Sequence, residues 1–457
     1  MSVVKNRERN TKERKVQASA VRKVAIVGAG WAGCAAAVEL ASRGCRVTLF
    51  EAARTPGGRA RRVEIEGKTL DNGQHILLGA YTETLRLMKT VGIDIDRTLL
   101  RLPLQMRYPE NSGGMDFVAP RLPAPFHLLL ALLRAKGLRT EDKLALARFS
   151  TTARWMGWQL DVDCSVTEML HRFDQTERLI KLMWRPLCIA ALNTPPERAS
   201  ARVFLSVLRD SLGARRKASD MLIPRVDLTA LFPQHAAQFI ERHGGALKCG
   251  ASVKAIKRDG MRWQVEIGET SSEEEAFDAV VVATPPQHAA KMLGDLISIG
   301  GLTSFEHEPI TTCYLQYSHD LKLAQAFFAL IDNDEANEWG QFVFDRGQLD
   351  HKQKGLLAVV VSASNDAIAL GQEALSAAIA TQLAKVFQLP ELAHPQWTKV
   401  ISEKRATFSC IPNLARPDNA TSLQGLAIAG DYTACDYPAT LESAIRSGVK
   451  AARGLFQ

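Results

Sequence analysis

Residues 23–51, "KVAIVGAGWAGCAAAVELASRGCRVTLFE", constrain the fold of this chain more than any other stretch. A β-branched run leads into Gly28, Gly30 and Gly33, and an alanine-rich segment continues to about Ser42. The run reads as a buried parallel strand and the alanine segment as a helix. In such a unit the glycines have separate duties: a tight turn, close approach of backbone to a pyrophosphate, and close helix–strand contact. The helix N-terminus, at Trp31 and Ala32, offers free N–H groups and positive dipole to phosphates. A second strand ends at Glu51, before Ala52, where a carboxylate can accept hydrogen bonds from a ribose diol. An acid there disfavours the 2′-phosphate of NADP, because like charges would meet. Strand, glycines, helix, strand and acid in this order predict an α/β fold with a dinucleotide-binding Rossmann unit.

"RTPGGRARR" separates flavin from nicotinamide. Gly57 and Gly58 follow the acid where backbone would pass the pyrophosphate a second time, and Arg59 could reach a phosphate oxygen. An ordinary Pro-Gly turn is the plain alternative. The pairing resembles the glutathione-reductase-like FAD-binding fold, in the branch that holds amine oxidases and carotenoid desaturases. That resemblance implies a return to the cofactor near the C-terminus. "LAIAGDYTACDYPATLESAIRSGVKAARGL" supplies a strand over 426–429, a Gly430-Asp431 turn and a helix from about Thr440 and Leu441. By resemblance, Asp431 bonds the ribityl chain and the helix N-terminus faces the flavin pyrimidine ring. Its dipole would there stabilise the anion of a reduced flavin. A turn aspartate and a packed amphipathic helix are the bland readings.

Between these ends, residues 244–286 read as a β-meander followed by a strand that stops at Thr284, with an acidic cluster, 273–275, at a solvated hairpin tip. The resemblance puts backbone near Val253 beside the adenine. The FAD-binding domain is then expected from 23–100, 222–298 and 402–457. Residues 101–221, largely helical, and 299–401, alternating like strands, form a discontinuous α+β substrate domain. No second glycine fingerprint occurs, so no built-in NAD(P)H domain is expected.

The formal charge of +8 suggests nucleic acid, but residues 1–23 hold eight basic and two acidic side chains, leaving about +2 for the rest. Nucleic-acid binding is therefore not expected. Residues 1–22 lack the apolar core of a secretory signal and read as a disordered tail, with attraction to an anionic membrane as the alternative. Eight cysteines without a Cys-x-x-Cys pair suggest reduced, cytoplasmic usage and no metal site. The apolar run "FHLLLALL" is far short of the ~20 residues of a spanning helix. Followed by Arg134, Lys136 and Arg139, it reads equally as an interfacial helix on the cytoplasmic membrane face or as a helix packed over the substrate domain.

Segments 70–88, 184–201, 219–233 and 436–448 together resemble the squalene-associated flavoproteins, the hydroxysqualene dehydroxylases of bacterial hopanoid biosynthesis. The resemblance runs from about residue 23 to the end. It implies reductive removal of the hydroxyl from hydroxysqualene, an isoprenoid, giving squalene, with an external electron donor that the sequence does not identify. A carotenoid desaturase or amine oxidase on the same scaffold would run the flavin oxidatively; a prenyl-lipid carrier would do no chemistry. The dehydroxylation needs a proton donor for a poor leaving group. It also needs aromatic faces or a counter-charge for a developing allylic cation, and a dry apolar tunnel. His75, after Gln74 in the turn that follows Asp71, is the first candidate donor, with a structural histidine as its alternative. Tyr437 and Asp436 come next, Asp436 also reading as a helix cap. Arg185 reads as structural, since a cation beside a carbocation would raise the barrier.

Overall fold

The structure, a computed structural model, describes residues 21–268, 275–298 and 301–456. Residues 1–20 of the basic tail and 273–274 of the acidic cluster lie outside the described residues.

The glycine-rich opening builds the centre of a five-stranded parallel sheet. Its spatial order is Ala246–Cys249, Arg46–Glu51, Lys23–Val27, Ala279–Val282 and Leu426–Ile428. "KVAIV" and "AVVV" are apolar throughout because both faces of the sheet are covered. Ala246–Cys249 was expected to open the meander. Instead it follows helix Pro233–Arg242 and pairs in parallel with Arg46–Glu51, as a crossover connection allows. The antiparallel meander begins later, with Val253–Asp259, Arg262–Ile267 and Ala276–Phe277. Period and composition do not distinguish a parallel partner from an antiparallel one.

Helix Trp31–Ala41 is buried at every position. Its alanines leave room for the sheet, helix Pro233–Arg242 and the C-terminal helix Leu441–Gly454. A Cβ on Gly448 would stand 2.1 Å from the Ala32 carbonyl oxygen, so only glycine permits this approach of the two helices.

The other half carries a five-stranded antiparallel sheet in the order Phe327–Ala329, Phe342–Asp345, Leu356–Ser362, His307–Gln316 and Trp397–Phe408. One face packs on helix Gln372–Phe387 through Val343, Leu357 and Val359; the other presents Phe327, Phe342, Phe344 and Val360 to the interior. The last strand runs to Phe408 rather than ending near 402, because its pairing with His307–Gln316 continues that far. Met221–Pro224 likewise straddles the boundary expected at 222, pairing with both Leu77–Leu78 and Leu99–Leu102.

Residues 101–221 hold a short hairpin, Gln105–Arg107 with Asp116–Val118, and then helices. "WRPL" shows how local chemistry shapes them. Pro186 has no N–H to give the Leu182 carbonyl, and the preceding residues Ile180–Trp184 widen into a π-helix. The freed Leu182 oxygen accepts the Tyr108 hydroxyl at 2.9 Å. Asn193, left-handed at the end of helix Arg185–Leu192, ties helices to sheet through Thr407 Oγ1 and the Glu308 carbonyl, and accepts the Ala363 N–H.

Helix Phe126–Arg134 buries His127, Ala131 and Leu132 but exposes Phe126, Leu129 and Leu133. Its leucines are therefore divided between the core and a bare outer face. Among the described residues no helix is long and apolar enough to cross a membrane.

Candidate active site

The C-terminal ends of the parallel strands open on a cavity of about 900 Å³ that continues between the two halves of the molecule. Three backbone segments meet at its floor. Gly28 N–H donates to Phe50 O at 2.7 Å, Gly57 N–H donates to Ala29 O at 2.8 Å, and Gly28 lies against Ala283 and Thr284. A Cβ on Gly33 would fall 1.9 Å from the Gly28 oxygen, and one on Gly58 3.1 Å from Gly30 Cα. The glycines are there because backbone meets backbone.

Glu51 does more than await a diol. Its Oε2 accepts the Ala29 N–H at 2.8 Å and its Oε1 the Ala53 N–H at 2.9 Å, bracing the glycine turn. A carboxylate has about four acceptor positions, so two remain for ribose hydroxyls. Trp31 donates its indole N–H to Ala60 O and packs on Phe232, fixing the helix start. Trp31, Ala32, Ala52 and Val253 line the cavity, as do Gly430, Thr440 and Leu441. Thr440 caps the C-terminal helix by accepting the Ser443 N–H.

Arg59 and Asp431, expected at the phosphates and the ribityl chain separately, form one pair. Arg59 Nη2 reaches both Asp431 oxygens at 2.7 Å, and its Nη1 donates to Ala406 O at 2.6 Å. The pair joins the second glycine segment to the C-terminal turn. Thr284 Oγ1 is buried on the cavity wall without a hydrogen-bond partner among the described residues, a cost that a polar ligand there would relieve. Converging glycines, an unpartnered hydroxyl and a helix N-terminus fit a flavin dinucleotide.

Beyond this floor the cavity wall is largely apolar, with a few polar groups set into it. Phe204 and Leu208 of helix Ala201–Ser211 face Phe327, Phe342, Phe344 and Val360 of the antiparallel sheet. Phe327 and Phe342 stack with centroids 5.7 Å apart and planes 13° apart.

The candidate polar groups divide sharply. Gln74 lines the cavity with its amide fixed: Nε2 donates to Tyr314 OH at 2.8 Å and Oε1 accepts from buried Arg346 at 3.0 Å. Behind it, burial pushes the Asp71 carboxyl up to about 7 against the pull of Arg346. His75 also lines the cavity, but its Nδ1 sits 3.2 Å from the Gly73 carbonyl and must carry the hydrogen. Burial lowers its pKa, so the ring is neutral with a lone pair on Nε2. With its Nδ1 hydrogen so engaged, the neutral ring offers Nε2 to the cavity as an acceptor.

Tyr437 reaches the cavity and donates its hydroxyl to Asp210, which Arg209 holds at 2.7 Å. Desolvation and then Asp210 push the Tyr437 phenol up to about 12. Asp210 is partly desolvated, yet the bonds from Arg209 and Tyr437 hold it below the usual carboxylate range. Asp436 is exposed and absent from the cavity wall, and the cap it might have supplied comes from Thr440. Arg185 lies off this cavity, 3.3 Å from Asp332. Sequence reasoning missed Asp210, Tyr314, Arg346 and the stacked phenylalanines. Only the alternation in "FVFD" hinted at any of them.

Fold and cavity together define an FAD-dependent oxidoreductase. The family described as flavin containing amine oxidoreductase matches residues 31–455, and the chain belongs to it. It is 29% identical to a hydroxysqualene dehydroxylase of Rhodopseudomonas palustris, covering 94% of this chain and 97% of that one. A hydroxysqualene dehydroxylase of Sinorhizobium fredii is 26% identical over the same shares. Among solved structures, an oxidoreductase from Methanosarcina mazei superposes with a TM-score of 0.73 at 15% identity, covering 94% of this chain and all of that one.

Proposed function

We propose that this chain removes the hydroxyl of hydroxysqualene reductively, giving squalene and water. The observation that carries the reading is the phenylalanine-lined chamber continuous with the floor of the cavity. The relatives named for this reaction support it.

Reduced FAD supplies the hydride when bound. The chain's own residues do the rest. Gly28, Gly30, Glu51, Gly57, Gly58, Arg59, Asp431 and Thr440 hold the dinucleotide. The phenylalanine faces stabilise positive charge developing at the allylic carbon. Ionised Asp210 supplies a counter-charge. Gln74, held by Tyr314 and Arg346, keeps one Nε2 hydrogen for the substrate oxygen. Tyr437 is assigned as the proton donor, its single hydroxyl hydrogen turning from Asp210 to the substrate oxygen: at about 12 its phenol stays protonated at neutral pH. It is still more acidic than water, at roughly 15.7, so transfer to departing hydroxide runs downhill. Arg446, 5.1 Å from the Tyr437 ring, and Arg209 offset the charge left behind. Because the substrate is insoluble in water, it arrives from a lipid phase, and the protein works in peripheral contact with a membrane.

Tyr437→Phe should lower the single-turnover rate of flavin reoxidation by hydroxysqualene about 10²- to 10⁴-fold, the usual worth of a positioned acid. Flavin content should be unchanged. An unaltered rate would move the proton elsewhere. Reduced enzyme that leaves hydroxysqualene intact, while oxidised enzyme desaturates a carotene or oxidises an amine, would overturn the reaction itself.

A further inference from the structure

Helix Phe126–Arg134 leaves Phe126 59%, Leu129 52% and Leu133 62% exposed. The next helix, Thr140–Trp155, adds Leu144 at 58% and Trp155 at 88%. Leu144 and Trp155 are eleven residues apart, close to three full turns, so they share a face. Phe126, Leu129 and Leu133, spaced by three and four residues, form one stripe on their helix, and an exposed apolar stripe marks a contact.

Its charge identifies the contact. Residues 121–155 hold seven basic and two acidic side chains, a net +5. Arg121, Arg134 and Lys136 are exposed and make no ion pair among the described residues. Arg139 has Glu141 at 3.4 Å, and Lys143 donates to the Leu133 carbonyl at the helix end. Of the two acids Asp142 is buried, spent on the Arg139 N–H and on Thr176. Bare apolar side chains edged by unpaired cations match a bilayer of anionic lipid, apolar within and negative at its surface.

The other face of the same helix leads to the cavity. Buried His127 lies within electrostatic reach of Arg216 and Asp220. Ser219, beside Asp220, and Ser211 and Leu212, at the end of helix Ala201–Ser211, form cavity wall. Strand Asp116–Val118 touches the helix and pairs with Gln105–Arg107, whose Gln105 and Met106 are also wall.

We infer that the face formed by Phe126, Leu129, Leu133, Leu144 and Trp155 seats this protein on an anionic bilayer, and that the isoprenoid passes between lipid and the adjoining end of the cavity. This rests on the proposed isoprenoid substrate for the passage, but not for the docking. The apolar side chains enter the headgroup boundary while Arg121, Arg134 and Lys136 stay at the phosphates. Docking is then both apolar and electrostatic, and salt weakens it.

The test uses the flavin-loaded full chain and two vesicle preparations, phosphatidylcholine alone and phosphatidylcholine with phosphatidylglycerol. The protein should sediment with the anionic vesicles and be released by salt. The variant Phe126→Ser/Leu129→Ser/Leu133→Ser should bind them at least tenfold more weakly, with unchanged Tm and flavin absorbance. Its turnover should fall on vesicle-borne hydroxysqualene and persist on detergent-dispersed substrate. Arg134→Gln/Lys136→Gln should erase the preference for phosphatidylglycerol. Wild-type protein that ignores both vesicle types would overturn the inference. So would a dimer in light scattering that the serine variant converts to monomer, since the face would then seat a second copy. Serine variants that lose flavin and unfold would make the face part of the core and overturn it as well. Vesicle binding without any turnover of hydroxysqualene would leave the docking standing and remove the substrate assignment instead.

Discussion

The place of Glu51 at the end of the second strand marks it as a candidate ribose ligand, but nothing in the sequence marks its bonds to Ala29 and Ala53. Those N–H groups are brought to it by the glycine turn and by the chain leaving the strand. Glu51→Ala removes charge-assisted bonds of about 1.5–3 kcal/mol, on the order of 10- to 150-fold in FAD affinity. The variant should therefore lose flavin during a dialysis that the parent survives, and full retention would show that Glu51 braces the turn without touching the ribose. His75 gives the opposite lesson. A histidine after a Gly-Gln turn near a flavin is a natural candidate for an acid, yet a backbone carbonyl two residues away fixes its Nδ1 hydrogen. Sequence shows the residue type and not the tautomer.

At the scale of elements, the two ends of the chain are stitched by a residue with no signature. Glu442, in the first turn of the C-terminal helix, is buried. Its carboxylate accepts Glu83 N–H at 3.1 Å, Thr84 N–H at 2.9 Å and Thr84 Oγ1 at 2.7 Å. Helix Thr82–Thr90 has no side-chain cap of its own at Tyr81, so Glu442 caps it from more than three hundred residues away. Arg446 completes the set at 2.7 Å. Glu442→Ala leaves those donors buried and unpaired, at about 1–3 kcal/mol. Thermal unfolding should begin about 1–3 °C lower in a chain of this length, and an unchanged Tm would mean that water satisfies the helix start. The helices themselves were readable from periodicity. The cap was not, because a long-range partner leaves no local pattern.

For the whole molecule, buried titratable groups set the response to pH. Desolvation lowers the pKa of His75, His127 and His307. Their contribution is therefore present above the unfolded value of about 6.5 and is lost as pH falls through the folded-state values. Asp71 acts in reverse: raised by burial to about 7, it favours the fold below its unfolded value of about 3.9 and loses that contribution as pH rises through about 7. The parent's net slope mixes both signs, so variants separate them. His127 is buried, and among the described residues its ring nitrogens make no hydrogen bond of good geometry, the Pro123 backbone alone lying near enough to act on its titration. His127→Leu should retain or raise Tm at pH 8 and lose less of it on acidification below about pH 6.5 than the parent. A steeper acid loss in the variant would contradict the burial argument.

The sequence alone determined the Rossmann sheet and the glycine turns at the floor of the cavity. Its glycines, β-branched runs and strand-end acid act over a few neighbours, so their spacing carries the information. The resemblance of four segments supplied the reaction class. Tertiary structure decided what depended on distant partners. It sent Ala246–Cys249 to the parallel sheet, locked Gln74 between Tyr314 and Arg346, and paired Arg59 with Asp431. It also settled which leucines of "FHLLLALL" face outward. Helical periodicity fixes which residues share a face; only the packing of the rest of the chain fixes which face is covered.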